Sequence, residues 1–376
     1  MKILQICSAR TIGGGEKHLV DLANGLHARG HEVYAALRTS SGLRAELQAL
    51  PGQNILPLRA QGPLNILNAF QLAQFIRERE VDVIHAHVAH DYLLAALAAR
   101  LAGRGELVIT RHVLFQLNKL HARMLKRVAR VIAVSQAVAD ALRSGHTFDP
   151  AKIVVIHNGI DLRRFTRHSA ARDWLQSFIK SGTRDCFIVG MVGHLSPIKG
   201  QEEFIRAAAI IASRRTDITF IIAGEDKSRD GENRRQIERL ISDLGLNGRI
   251  HLLGWVDDVP RLLSAFDLLV SPSRSEPFGL SIIEGMACGV PVIATRSEGA
   301  REILEDGVTG QLLSSGSAEE LAVAIVRLLD DGEKRKSFGA RALRAVHDRF
   351  ALELMVGATE QLYRSLFSSK DEKGAR

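Results

Sequence analysis

Two glutamates separated by seven residues stand in the segment Ser275-Glu276-Pro277-Phe278-Gly279-Leu280-Ser281-Ile282-Ile283-Glu284-Gly285-Met286-Ala287. Glu276 precedes a Pro-Phe-Gly turn, and Glu284 interrupts a run of apolar helix formers. A helix opening at Gly279 or Leu280 would aim its unpaired backbone N–H groups and the positive end of its dipole at that turn. Such an end binds anions, phosphates included. Two carboxylates beside it can accept hydrogen bonds from the hydroxyls of a sugar or a ribose. A lone glutamate in a strand–turn–helix unit would be incidental. Here one acid stands at the turn and the other breaks an apolar face, which points to a binding site.

Other segments carry related chemistry. Gly13-Gly14-Gly15-Glu16-Lys17 follows the apolar run 3–7 and precedes a helical stretch, so backbone can approach a ligand where a helix begins. Its spacing matches neither the dinucleotide fingerprint nor the G-x-x-x-x-G-K-[ST] loop, and a plain tight turn accounts for it equally well. Lys199 closes the loop Gly193-His194-Leu195-Ser196-Pro197-Ile198-Lys199-Gly200 just before another helical stretch, where an ammonium can meet a phosphate. A solvated lysine is the ordinary reading of one such residue. The anion site expected at 276–284, on the same sheet edge, weighs against it.

His85, His87, His90 and His112 follow strand-like runs. The His-x-His spacing fits metal ligation, because strand residues two apart share a face. Only Asp91 is at hand to complete a set, and no cysteine is, so hydrogen-bonded core or cleft histidines fit better and no metal site is expected. His112, directly after 107–111, is expected to point into a cleft and bond a substrate hydroxyl or phosphate. Asp257 and Asp258 are adjacent and make no Asp-x-Asp metal motif.

These residues need elements to hold them. Apolar strands are expected at 3–7, 33–37, 81–85, 107–110, 131–134 and 153–156. A second set follows at 187–192, 219–223, 250–253, 268–271, 290–294 and 311–313. Helical patterns such as 16–29, 91–102, 201–213, 234–244 and 280–288 alternate with them, and three more, 318–329, 333–346 and 352–367, end the chain. Continuous apolar strands between helices imply parallel sheets covered on both faces. The expected fold class is α/β, with two doubly wound Rossmann-like domains facing across a cleft. Residues 1–170 would form the first domain and 171–350 the second. Residues 351–376 would be a helix packing back toward the first domain, with a frayed tail. The link is the polar, basic stretch 161–184, with a short helix around Trp174, Leu175 and Phe178. Ligands of such sheets bind outside the carboxyl ends of the strands, where the motifs above fall.

A chain of 376 residues that is 46% hydrophobic and 24% charged is an ordinary globular protein of about two domains. Cys7, Cys186 and Cys288 show no paired spacing; they suggest neither a disulfide framework nor a metal site and fit a reducing cytosol. No targeting segment is expected ahead of the strand at 3–7. No apolar run approaches the ~20 residues of a membrane span; the longest, 93–101, carries Arg100. Charge is uneven: residues 1–170 hold 22 Lys/Arg against 12 Asp/Glu, and the remainder 28 against 30. A basic first half implies an acidic partner such as membrane lipid, phosphorylated glycan or nucleic acid. Lys119, Arg123, Lys126, Arg127 and Arg130 recur at three- and four-residue steps among apolar residues, and are expected to share one helical face. Basic amphipathic helices lie on anionic membranes; a solvated helix is the equal alternative. No nucleic-acid module accompanies the charge, and no nucleic-acid partner is expected.

Taken together these motifs resemble the retaining glycosyltransferases of family 4, which have the GT-B fold. The resemblance spans nearly the whole chain. It rests on the glycine loop 13–15 with Glu16, Thr110-x-His112, Ala133-Val134-Ser135, Asn158-Gly159-Ile160-Asp161, the loop 193–200, Ser271-Pro272-Ser273 and the E-x7-E pair Glu276 and Glu284. The family's lipopolysaccharide-core glucosyltransferases and mannosyltransferases are similar in size and carry membrane-docking basic helices in their N-terminal halves.

The resemblance implies transfer of a hexose from a UDP- or GDP-linked sugar to a glycan or glycolipid, with retention of configuration. It implies no metal or other cofactor, a role in cell-envelope polysaccharide or lipopolysaccharide synthesis, and a cytoplasmic place, peripheral on the inner membrane. His112, Lys199 and Glu276 would be catalytic. Glu276 would bind the donor sugar, Phe278, Gly279 and Leu280 would offer backbone N–H groups, and Glu284 would hold the ribose. Lys199 would neutralise the diphosphate, approached by Gly14 and Gly15 from the other domain, and Trp255 and Val256 would border the base. Lys119, Arg123, Lys126, Arg127 and Arg130 would meet the membrane.

His194 departs from the pattern, because relatives carry an arginine diphosphate clamp there. A shorter, partly protonated side chain implies diphosphate affinity that rises in mild acid. The alternatives are a sugar-nucleotide epimerase, a glycan synthase or phosphorylase of the same fold, or a non-catalytic nucleotide-sugar-binding partner at the membrane. Acceptor residues are expected on the loops 39–43 and 61–65.

Overall fold

The computed structural model describes residues 1–9, 13–58, 66–179 and 186–374, with the side chains of Lys119, Arg229 and 369–374 outside that description. The expected acceptor loop 61–65 and the linker residues 180–184 therefore lie outside the described residues, as does the expected membrane contact of the Lys119 side chain. The chain divides into two units: Met1–Gly159 with Ala351–Arg376, and Ile160–Phe350.

In the first unit seven strands form one sheet. They are β1 (Lys2–Cys7), β2 (Glu32–Arg38), β3 (Ile55–Leu58), β4 (Val83–Ala86), β5 (Glu106–Arg111), β6 (Arg130–Ala133) and β7 (Ile153–Val155), in the order β3-β2-β1-β4-β5-β6-β7. The second unit has six: β8 (Phe187–Val192), β9 (Ile218–Ala223), β10 (Ile250–Gly254), β11 (Leu268–Ser271), β12 (Val292–Thr295) and β13 (Gln311–Leu313), in the order β10-β9-β8-β11-β12-β13. Every described pairing is parallel. All six residues of β9 are buried, as expected where helices cover both faces and no alternation survives. Each unit is thus a doubly wound α/β domain. The strand order reverses between β1 and β4 in one and between β8 and β11 in the other. At such a switch point the loops leaving two neighbouring strands open to opposite faces and leave a crevice.

Strand β3 was not expected. Its sequence is Ile55-Leu56-Pro57-Leu58, and proline removes a ladder donor. The sheet tolerates it because β3 is an edge strand with β2 as its single partner.

The last helix, Leu352–Gly374, completes the first unit. Met355, Val356, Leu362, Tyr363 and Leu366 share a core with Ile3, Leu19, Leu22 and Val33. Gly25 permits the close approach: a Cβ there would come within 2.6 Å of Val356 Cγ2. Tyr363 is fully buried and its hydroxyl meets His85 Nδ1 at 2.5 Å. Arg364, Arg29 and His31 converge on Glu360 at 2.6, 2.9 and 3.1 Å, and these partners, Arg364 foremost, hold its carboxyl at about 2.

One expectation is corrected. The basic residues do not share a helical face. The helix Lys119–Met124 has six residues, Leu125–Arg127 is a single 3-10 turn, and Arg130 already belongs to β6, opposite Val108. Leu125 and Val128, spaced among the cations, are buried and drag the chain into the core. The Ala129 N–H then pairs with Leu107 O at 2.7 Å. Among the described residues no helix is long and apolar enough to cross a membrane.

Candidate active site

The second unit gathers its chemistry at the β8/β11 switch point. The loop after β11 runs through Ser273 and Glu276 to Gly279, whose φ of +114° lies in the region that favours glycine, and the helix Leu280–Ala287 starts there. Its first backbone bond is Ile282 N–H to Gly279 O, 3.0 Å. The amides before it are the orphan donors of a helix start. The Glu276 carbonyl accepts the Gly299 N–H at 2.8 Å, and a Cβ at Gly299 would come within 2.1 Å of Phe278 O. The turn is therefore pressed against the start of the next helix, Glu298–Ile303.

The loop after β8 folds onto this turn. Gly200 has φ +76°, and a Cβ on it would lie 2.1 Å from Pro272 O. The Arg274 N–H donates to Ile198 O at 2.9 Å. These contacts bring Lys199 Nζ to 2.6 Å from Glu276 Oε2, and Ser273 Oγ donates to the same oxygen at 3.4 Å. The Lys199 and Glu276 side chains are 18% and 10% exposed, so the pair is largely but not wholly desolvated. An ammonium has three donors and a carboxylate about four acceptor sites. Each partner therefore keeps capacity for a ligand, the lysine for a phosphate oxygen and the glutamate for a hydroxyl.

His194 sits on the same loop, with its backbone carbonyl accepting from Gln201 Nε2 at 3.0 Å. Partial burial of the ring, then Lys199 and Lys227, hold its pKa below the usual histidine value; Glu276 offsets them in part. Glu284 is half-buried in the second turn of Leu280–Ala287. Phe278 is buried, its ring edge-on to Phe350 at 5.8 Å. Trp255 and Val256 follow β10, two strands from β8. Trp255 is 50% exposed and donates to Asp257 Oδ1 at 2.6 Å.

In the first unit the glycine loop follows β1, and Gly13 caps the helix Gly14–Ala28. A Cβ at Gly15 would lie 3.2 Å from the His112 ring, so glycine lets the loop close over that histidine. The other histidines separate into roles. His85 is satisfied by Tyr363 and by Thr110 Oγ1 at 2.7 Å. His90 meets Ser8 Oγ at 2.7 Å, and Ser8 is anchored on Asp91 through its amide and hydroxyl. His87 and His112 instead meet His18, with ring centroids 5.5 and 4.9 Å from it. Burial pushes His18 down to about 4, and His87 and His112 well below the usual range. His18 was missed in the sequence. The available signal was its place three residues after Gly15, one helical turn from the glycine loop.

The exposed Arg123, Lys126 and Arg127 line an open groove of about 1260 Å³ in the first unit, with Arg100, Arg104 and Leu120. Arg130 is half-buried and spends its guanidinium on Ala129 O at 2.8 Å.

Two family models match along the chain. Residues 12–164 match the family model described as Glycosyltransferase Family 4, and residues 176–344 match Glycosyl transferases group 1. N-acetyl-alpha-D-glucosaminyl L-malate synthase of Bacillus anthracis is 28% identical, with 97% of each chain covered. UDP-Gal:alpha-D-GlcNAc-diphosphoundecaprenol alpha-1,3-galactosyltransferase of Escherichia coli is 30% identical over 69% of each chain. Among solved structures, Anabaena Alr3699/HepE in complex with UDP and glucose is 28% identical with a TM-score of 0.84, covering 97% of this chain and 100% of that one. With a family 4 match in its first half, a group 1 match in its second and these relatives along its length, the chain belongs to this glycosyltransferase family and is an enzyme of the GT-B type.

Proposed function

We propose that this glycosyltransferase moves a hexose from a nucleotide-sugar to a glycan or glycolipid acceptor with retention of configuration. The observation that carries the reading is the Lys199–Glu276 pair at the β8/β11 switch point, beside the start of Leu280–Ala287. In this reading Lys199 turns toward the departing diphosphate, and the Gly279 and Leu280 amides and helix dipole share its charge without a metal. Glu276 takes the sugar hydroxyls, Glu284 the ribose, and Trp255 and Val256 the base edge. Gly14 and Gly15 lend backbone to the phosphates and His112 reads the reacting sugar. No enzyme nucleophile is required: the acceptor oxygen bonds to the anomeric carbon as the bond to the phosphate breaks, and the acceptor proton passes to the released phosphate oxygen. A UDP-linked donor is favoured by the UDP-bound Anabaena relative, and a lipid-linked or envelope-glycan acceptor by relatives such as the Rhizobium meliloti lipopolysaccharide core glycosyltransferase LpsE.

The test is thermal shift with UDP, GDP, ADP and their sugars, followed by transfer and product NMR. One base should stabilise the fold; ligand at 100 times its Kd contributes about 2.7 kcal/mol. His194 is neutral at neutral pH, and a bound diphosphate raises its pKa, so donor affinity should rise as pH falls from about 7.5 to 5.5. His194→Arg should bind more tightly at pH 7.5 and lose that dependence. Stabilisation by none of the nucleotides would overturn the reading, and an inverted product anomer would overturn retention.

We further propose that the basic groove bearing Arg123, Lys126 and Arg127 meets anionic lipid on the cytoplasmic face of a membrane. Flotation with phosphatidylglycerol vesicles should weaken with salt; equal binding to neutral vesicles would sink the idea.

A further inference from the structure

We propose that His18, His87 and His112 form a site for one divalent transition-metal ion of the zinc class, at the β1/β4 switch point of the first unit. The proposed function gives His112 a sugar contact, so the two assignments share that residue; metal titration reads no transfer activity, and its failure is therefore distinguishable from failure of the transferase reading.

The geometry is that of a three-histidine set. One ligand nitrogen from each ring lies within 4.8 Å of the other two. Zinc held at about 2.1 Å by tetrahedral ligands places their nitrogens about 3.4 Å apart. The rings therefore need to draw together by roughly 1 Å or less per ring, a side-chain adjustment. The three residues come from different elements: the first turns of Gly14–Ala28, the end of β4 and the end of β5. The backbone thus fixes the set from three sides.

The polar accounting points the same way. His18 and His87 are 4% and 1% exposed. Both His18 nitrogens, His87 Nδ1 and His112 Nε2 are buried without a hydrogen bond of ordinary geometry among the described residues, and the Asn158 side chain acts on His18 only weakly. Burying a polar group unpaired costs about 1–3 kcal/mol, and four such atoms in one cluster are more than a native core ordinarily carries. A single cation would satisfy three of them. Burial also keeps the rings neutral, the form in which imidazole ligates, so loading need not first strip protons from them.

An outer contact is in place for one ring. His87 Nε2 lies 2.6 Å from Gln5 Oε1; with the amide oxygen on that side the ring donates from Nε2, which leaves the Nδ1 lone pair for an ion. Ligating histidines ordinarily donate their other N–H to such an acceptor. Gly15 contributes by absence, since any Cβ would press on the His112 ring. The Arg111 guanidinium, bonded to the Phe115 carbonyl, keeps its charge and opposes a cation here, which lowers the affinity expected of the site. Neutral nitrogen donors without thiolate suit Zn²⁺, Co²⁺ and Ni²⁺ rather than Mg²⁺ or Ca²⁺.

The experiment is titration of the tag-free, chelator-treated full chain at pH 7.5, with Co²⁺ followed by visible absorption and Zn²⁺ by calorimetry. One ion per chain should bind, with the intense Co²⁺ bands of a four-coordinate site. His18→Gln and His87→Gln should each weaken binding by about 100-fold or more, and Gln5→Leu by about 10–100-fold. His90→Gln and His121→Gln, outside the cluster, should leave it unchanged. Absence of a stoichiometric Co²⁺ spectrum, or unchanged affinity in folded His18→Gln and His87→Gln proteins, overturns the proposal. If those variants do not fold, imidazole ¹⁵N NMR of the unsubstituted protein decides: Zn²⁺ must shift three histidine resonances, and none shifting overturns it.

Discussion

Alanine at Lys199 is expected to lower kcat/KM for sugar transfer by about 10²–10³-fold, the cost of removing one preorganised donor from a site where negative charge develops. The lysine is preorganised because Glu276 holds its ammonium at 2.6 Å and Ser273 in turn holds Glu276. Alanine also leaves the Glu276 charge uncompensated beside the incoming diphosphate, so donor binding and the chemical step should both suffer. Lys199→Arg should recover only part of the rate, because a planar fork does not place a point charge where the ammonium stood. Initial rates at donor concentrations well below KM check this. A Lys199→Ala enzyme with full rate removes Lys199 from the site.

The second large effect belongs to Glu276, where activity and stability should part company. Glu276→Ala takes away the proposed acceptor for the sugar hydroxyls and should cost about 10² or more in kcat/KM, as when a site built to bond a hydroxyl loses that bond. It also strands Lys199 in a loop where its side chain is 18% exposed. Removing one partner of a fully buried pair costs about 3–5 kcal/mol; for this partly solvated pair about 2 kcal/mol is expected. Replacing both members by apolar residues of similar size, Lys199→Met with Glu276→Leu, should return most of that stability, because no lone charge remains. The double variant should still be inactive. Urea melts of the two single variants and the double one test this, and a double variant as unstable as the sum of the singles would show that the pair is not the source of the cost.

Much of this architecture is legible in sequence because buried parallel strands read as uninterrupted apolar runs, and helix starts are marked by glycine turns. The runs at β1, β8 and β9, and the Gly279 turn, needed no tertiary knowledge. What escapes is whatever depends on a neighbour distant in the chain. β3 carries Pro57, which argues against a strand until its edge position is known. The cations after Lys119 recur at helical spacing, but the spacing is silent on Leu125 and Val128 entering the core and ending the helix. Lys199 and Glu276 are each readable as site residues, yet their pairing arises from β8 and β11 lying side by side. The histidine cluster is the extreme case. His87 and His112 stand out as strand-end residues, while His18 looks like a helix residue until the sheet order sets β1 against β4.

The helix Leu352–Gly374 has a consequence for how the protein is made. A ribosome emits the chain from its N-terminus, and domains ordinarily close in that order. Here residues 1–159 emerge first but lack a side of their core, since Met355, Val356 and Tyr363 are still unsynthesised. Residues 160–350 are contiguous and have all they need once released. The later-encoded unit can therefore finish first. The earlier one waits with His85 and a stretch of apolar helix uncovered until the final two dozen residues arrive. Truncation or slow translation before residue 352 would leave a folded second unit attached to an open, aggregation-prone first one.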